Sequence, residues 1–390
     1  SFRAYDNQIA VNVTLEDNGI IQASHIADGF DDPISRVTSI EDILSATPLG
    51  IVDATRASGI SGLFDVIADQ VLDTHLILSA SETIDLTDDA GTSIDAFRLN
   101  ALASTTTGVV TADNAVVISG DIDQLTTALV DDATRVVAST SNVIVSQGEA
   151  QVSQLNAIAA MTTGLLTATI AEGDMSTLNG LVVNEYGPAD YAYSITVMDP
   201  SVDAGQLNVL NGKTSVTVEA TAVETLTGVA SELVTAVEST GGIHLSGFEA
   251  VTVDSTDGGV ATVDQANAIA AMTTGLLTAT IAEGDMSTLN GLVVNADGPV
   301  DYAYSITVTD LSVDASELNV LNGKTSVTVE AAAIETLTGV ASELVSAVES
   351  IDGIHLSGFE AVTLSEAIGG SEGVAALNVL TAATTGVVTA

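Results

Sequence analysis

The sequence predicts a repeat solenoid: a parallel, β-helix-like β-solenoid with short helices between strands, about four coils per 111-residue repeat and a right-handed coil. Three observations predict it. First, residues 155–265 realign with 266–376 at a constant offset of 111, so that Asn156, Gly164, Lys213, His244 and Phe248 match Asn267, Gly275, Lys324, His355 and Phe359. The stretch Asn156 to Asn184 recurs without change at Asn267 to Asn295, as recent duplication of one unit would leave it. Second, short β-branched runs recur inside each unit at 167–170, 194–197, 215–218 and 250–253, and these read as strands. Thr169, Thr196, Thr217, Thr252 and Thr280 mark steps of 27, 21, 35 and 28. Third, the intervening segments carry apolar residues at helical spacing: Leu178 with Leu181, Leu207 with Leu210, and Leu226 with Val229 and Leu233. A strand of four to six residues and a two-turn helix bury no core alone, whereas stacking gives a continuous sheet with a helical layer beside it.

The elements follow in chain order. Residues 1–80 fall outside the repeat and hold Arg3, Arg36, Arg56, His25, His75, Phe30 and Phe64, the composition expected of an N-terminal cap or head. Residues 81–154 read as divergent solenoid coils, with Leu99-Asn100-Ala101-Leu102 leading into Thr107-Gly108-Val109-Val110. Repeat 1 is 155–265, repeat 2 is 266–376, and 377–390 opens a third copy. Asp203 and Asp314 are placed to cap helix starts. Asn211-Gly212 and Asn322-Gly323 are placed to end those helices through a positive-φ glycine.

Composition narrows the function classes. The chain has 390 residues, 52 Asp plus Glu against 7 Lys plus Arg, a formal net charge of -45, and 46% apolar residues. So much apolar content excludes an acidic disordered tail, and the charge opposes binding to nucleic acid or anionic membrane. Only 3% of residues are aromatic and none is Cys, which points to thin layers of Leu, Ile, Val and Ala and removes disulfide, thiolate and Cys–zinc chemistry. No window approaches 18 uninterrupted apolar residues, so no span of a bilayer is expected.

Catalytic signatures are missing. Gly212-Lys213-Thr214 lacks the earlier glycine of a phosphate loop, Leu207 standing in its place, and reads as a turn with a solvated lysine. Gly59-Ile60-Ser61-Gly62 has the wrong spacing for a nucleophile elbow. His244 and His355 each lie five residues before a glutamate, Glu249 and Glu360, a spacing compatible with proton transfer but read here as structural. Asp254-Ser255-Thr256-Asp257-Gly258-Gly259 resembles half of a calcium turn, so Asp254 and Asp257 are the candidate metal ligands and calcium the candidate cofactor. Thr-Ala-Thr at 167–169 and 278–280 is a candidate threonine ladder of the ice-binding kind, too irregular for a lattice. Two strands are candidate assembly edges. Val387, Val388 and Thr389 form one, and Ile9, Val11 and Val13, alternating as a strand should, form the other; head-to-tail pairing of such edges gives a filament.

The phrases at 155–170, Leu-Asn-Val-Leu-Asn-Gly-Lys-Thr at 207–214 and Glu-Thr-Leu-Thr-Gly-Val-Ala-Ser-Glu-Leu at 224–233 resemble the tandem arrays of very large secreted surface proteins of marine and cyanobacterial type, the hemolysin-type calcium-binding and adhesin-like repeat proteins. The glycine-rich nonapeptide of true calcium rolls is absent. The resemblance covers roughly residues 99–390. It implies an exported cell-surface, adhesin-like or extracellular-filament protein, while the third copy opened at 377–390 leads to the expectation of head-to-tail self-association or of a longer chain. The expectation is therefore a non-enzymatic structural repeat protein forming an elongated surface fibre, filament or adhesin-like assembly. The alternative is a solenoid that binds or cleaves polysaccharide.

Overall fold

The computed structural model describes residues 13–14, 20–22, 52–53, 55, 59–73, 76–131, 133, 135–185, 190–239, 241–254, 259–295, 301–350, 352–367 and 369–390. Short strands alternate with short helices along the chain, and every strand pair among the described residues is parallel. This is an α/β architecture without a closed barrel. The chain divides into two compact units, one made of residues 1–195 and 212–216, the other of 196–211 and 217–390.

The first unit holds two five-stranded sheets. One runs in the order Val136–Val137, Val110–Thr111, Thr83–Leu86, Gly59–Gly62, Ile20–Gln22, and the other Ala192–Ser194, Leu166–Thr169, Asn142–Gln147, Val117–Asp121, Ser93–Asp95. A three-stranded sheet joins Val13–Thr14, Val52–Asp53 and Leu76–Ile77. Parallel pairing thus already holds upstream of residue 80, where Gly59 lies opposite Thr83 and Val52 opposite Leu76. In the second unit, Ser201–Asp203, Thr225–Gly228, Ala250–Val253 and Leu277–Ile281 lie side by side, and Ser312–Asp314, Thr336–Gly339, Ala361–Leu364 and Val388–Thr389 form the equivalent sheet.

The uneven steps between the sequence's threonine markers resolve into a narrower interval. From Gly59 onward, the long ladders range only from the spacing of Val143 opposite Leu166 to the slightly wider one of Val251 opposite Leu277. A shorter step recurs at equivalent places, Ala150 with Ile170 and Val260 with Thr280. The step of 35 between Thr217 and Thr252 arises because the two threonines mark different sheets: Thr217 directly precedes the strand Val218–Glu219, while Thr252 lies in Ala250–Val253. Val218 pairs with Ile243, while Thr227 pairs with Thr252. Leu226, expected on a helix, is a buried strand residue, and the helix starts after it, Ala230–Glu238.

Burial alternates along these strands as a period of two requires: in Thr225–Gly228 and Ala250–Val253 every second residue is buried, and Leu226, Val251 and Leu277 line up inside. The helices contribute a matching stripe. Ala204, Leu207 and Leu210 are buried in one, Ala315, Leu318 and Leu321 in its counterpart. Small alanines bring helix and sheet close, which is why so few aromatic residues suffice. Phe64, Tyr193 and Tyr304 are large buried rings among the described residues, and the two tyrosines pack on Tyr191 and Tyr302 at ring-centroid distances of 5.2 and 5.4 Å.

Capping follows the sequence at helix starts and departs from it at the ends. Asp203 Oδ1 accepts from the Gln206 N–H and Asp314 Oδ1 from the Ser316 N–H, as expected of carboxylates at N-caps. At the helix end, Gly323 has φ -72, so no left-handed glycine is used there. The chain instead continues in a tight right-handed turn, with Gly323 N–H donating to Asn319 O and Lys324 N–H to Leu321 O.

Candidate functional site

The most regular polar feature is a clamp built on a buried threonine. Thr106, Thr162, Thr273 and Thr384 each open a Thr-Thr-Gly turn, and each Oγ1 donates to a carbonyl 21 to 24 residues upstream, on Glu82, Ser141, Glu249 and Glu360. The same hydroxyl accepts the N–H of the glycine two residues on. The second threonine donates both its N–H and its hydroxyl to one further carbonyl, as Thr163 does to Ser139 and Thr274 to Gly247. Thr214 and Thr325 repeat the clamp on Tyr193 and Tyr304 with valine in the glycine position. Where glycine stands it is required by space: a Cβ on Gly164 would lie 2.2 Å from the Ser141 carbonyl oxygen, and on Gly275 2.1 Å from that of Glu249.

Asparagines do the same work on the helical side. Asn156 Nδ2 donates to Gly180 O while its Oδ1 accepts the Val182 N–H, and Asn267 repeats both bonds with Gly291 and Val293. Asn208 and Asn319 reach the carbonyls of Glu232 and Glu343. In sequence the Thr-Thr-Gly triplets mark only the repeat period, and their hydrogen-bonding role becomes visible once the upstream carbonyl is in place.

The residues singled out from sequence are redistributed by the structure. Lys213 is half-buried, not solvated, and its Nζ donates to the carbonyls of Asn179 and Leu181, just past the helix Met175–Leu178. Lys324 Nζ donates to Asn290 O, past Met286–Leu289. Burial holds both ammonium groups below the ordinary lysine range. These are the only two lysines of the chain.

His244 does not pair with Glu249. Its Nδ1 lies 2.7 Å from Glu219 Oε2, on the neighbouring strand, and His355 Nδ1 lies 2.6 Å from Glu330 Oε2. Glu249 and Glu360 are buried and close their own turns: Glu249 Oε1 accepts from the Ser246 N–H and hydroxyl, Glu360 Oε1 from the Ser357 hydroxyl and the Gly358 N–H. Glu82 holds the equivalent place, accepting the Ser79 N–H, and burial raises its carboxyl above the ordinary glutamate range.

Asp254 is half-buried and its N–H donates to Gly228 O; its expected co-ligand Asp257 lies outside the described residues. Among the described residues no group of three His, Asp or Glu side chains converges on one point. Ser61 sits in the strand Gly59–Gly62, flanked by parallel partners, and not on an elbow. Thr227, Thr252 and Thr278 form a single in-register row, and Thr280 pairs with Val260 and Ser305, so threonines do not form a lattice there. At the candidate edges, Val388 and Thr389 pair with Val362 and Thr363, Val387 is exposed, and Val13 pairs with Val52; Ile9 and Val11 lie outside the described residues.

The sequence matches no protein-family model and no curated protein. Among the described residues no helix is long and apolar enough to cross a membrane. What the geometry supplies is repetition: one set of clamps, one sheet register and one surface, presented again in the second copy.

Proposed function

We propose that the protein is a structural repeat protein of the cell exterior, a right-handed β-solenoid whose stacked turns build an elongated surface fibre, filament or adhesin-like assembly. The observation that supports this reading best is the clamp. Each turn takes its hydrogen bonds from the turn before at a nearly constant spacing, so an identical turn can be appended without changing the chemistry of the junction. Sequence identity between copies, extending to surface positions, suits a role served by the whole surface and not by one centre.

A second reading, a polysaccharide-binding solenoid, draws on Phe248 and Phe359, which are 77% and 75% exposed at equivalent places although aromatic residues are scarce in the chain. An exposed ring offers a stacking face for sugar.

The test is to insert one further copy of residues 155–265 and measure the particle by small-angle scattering and negative-stain microscopy. Four added turns at the parallel-strand spacing lengthen a solenoid by about 19 Å at unchanged cross-section. A particle that thickens, or gains a separate globule, overturns the proposal. Retention on a polysaccharide column that is lost in Phe248→Ala/Phe359→Ala would select the second reading.

A further inference from the structure

The geometry points to a cation site that no sequence motif announces: Glu219 with His244, and Glu330 with His355, form two equivalent open sites for a divalent transition cation, Cu(II) or Ni(II). Each pair is set by sheet register. Glu219 lies directly opposite His244 on the parallel strands Val218–Glu219 and Ile243–His244, and Glu330 opposite His355 on Val329–Glu330 and Ile354–His355. The preceding residues, Val218, Ile243, Val329 and Ile354, are buried, so the alternation of the strand forces Glu and His outward together. Both side chains of each pair are about half exposed, which leaves room for water ligands.

A shared proton holds the two donor atoms of each pair 2.7 and 2.6 Å apart, and the half-exposed side chains can open to admit a cation in its place. With metal–nitrogen and metal–oxygen bonds of about 2.1 Å, donors 2.7 Å apart subtend roughly 80° at the metal. That is near the right angle of adjacent positions in square-planar or octahedral coordination, the geometries in which Cu(II) and Ni(II) take N,O donors. One imidazole nitrogen and one carboxylate oxygen is the mixed donor set that Cu(II) and Ni(II) favour. The ring gives up its shared Nδ1 proton to the solvent when the cation takes its place. The net charge of -45 concentrates cations at this surface in general. Placing the pair in the same register in both copies makes the site a property of the repeat.

The test uses the full chain, whose four histidines, His25, His75, His244 and His355, give a simple set of ring resonances. Substoichiometric NiCl2 is titrated in, and paramagnetic broadening of each ring is followed. The expected result is that His244 and His355 broaden first, saturating at one cation per pair, and that Glu219→Gln/Glu330→Gln weakens their apparent affinity at least tenfold without altering the circular dichroism spectrum. Glu219→Ala/Glu330→Ala repeats the measurement with no side-chain oxygen, in case the amide still coordinates. If all four rings broaden together, or the two rings respond alike in wild type and in both variants, each histidine acts alone and the site does not exist.

Discussion

At the scale of single residues, the buried threonine and the glycine that follows it act on the same carbonyl from two directions. Thr162 Oγ1 satisfies the Ser141 oxygen at 2.6 Å, and Gly164 leaves the space that lets the chain pass so near it. Thr162→Val keeps the shape but strands a buried acceptor, a loss of about 1–3 kcal/mol. Gly164→Ala forces a methyl group against a carbonyl that the sheet holds in place, and about 3 kcal/mol or more is expected. Urea unfolding of the two variants measures both; equal, negligible losses would show that the clamp contributes nothing. The buried glutamates are a separate matter. Desolvation raises the Glu82 pKa in the folded chain above its unfolded value, so its contribution is fully present below the unfolded pKa and is lost as pH rises through the folded one. Glu82→Gln abolishes that titration. The stability difference, variant minus wild type, is therefore expected to become more favourable to the variant as pH rises above the ordinary glutamate value of about 4.3, and a difference that does not vary with pH would contradict it. Repeated Thr and Gly are plain in the sequence, but the upstream carbonyl acceptor is not, because a partner 21 to 24 residues away has no local signature.

At the scale of elements, the helices are too short to stand alone and borrow their ends from neighbours. Met175–Leu178 begins on the Asp174 carboxylate, held below the ordinary aspartate range chiefly by the Ser176 hydroxyl and then by Thr177. Its far end is closed by the ammonium of Lys213, well downstream in the chain, through Asn179 O and Leu181 O. Lys213→Met retains the aliphatic stem and removes the donor. About 1.5–3 kcal/mol of local stability is expected to go, seen as faster amide exchange at 177–181 with little change at Ala230–Glu238. Exchange rates unchanged at 177–181 would show that the lysine is incidental. Helix starts are legible in sequence, since Asp203 and Asp314 act over one turn of their own helix. Helix ends are not. Asn322-Gly323 has the form of a left-handed cap, whereas Gly323 stays right-handed and the terminus closes in a tight turn of its own, Gly323 N–H on Asn319 O and Lys324 N–H on Leu321 O. Likewise the strand Ala250–Val253 is legible in place, but Thr225–Gly228 is hidden because Leu226, Val229 and Leu233 also satisfy helical spacing.

At the scale of the whole molecule, the dominant quantity is charge. Among the described residues, two lysines are committed to carbonyl groups and Arg98 bridges Asp65 and Asp69 at 2.6 and 2.5 Å, against 52 carboxylates in the chain. Repulsion among the rest opposes compactness. The screening length falls from about 30 Å at 0.01 M salt to about 3 Å at 1 M, so the thermal midpoint is expected to rise across that range. A midpoint that is flat or falls with sodium chloride would show that the carboxylates are spaced too widely to matter. Acidity and the repeat period are both legible, in composition and in offset. The candidate sites are less so: His244 and Glu249 are close in sequence and do not bond, while His244 and Glu219 are 25 residues apart and do.

The direction of the threonine clamps carries a consequence for synthesis. Thr106, Thr162, Thr214, Thr273, Thr325 and Thr384 all donate to residues that precede them in the chain. A segment emerging from a ribosome thus brings with it the threonine donors that fasten it to residues already made. Assembly can proceed vectorially, from the amino terminus onward, with the finished portion serving as template for the next.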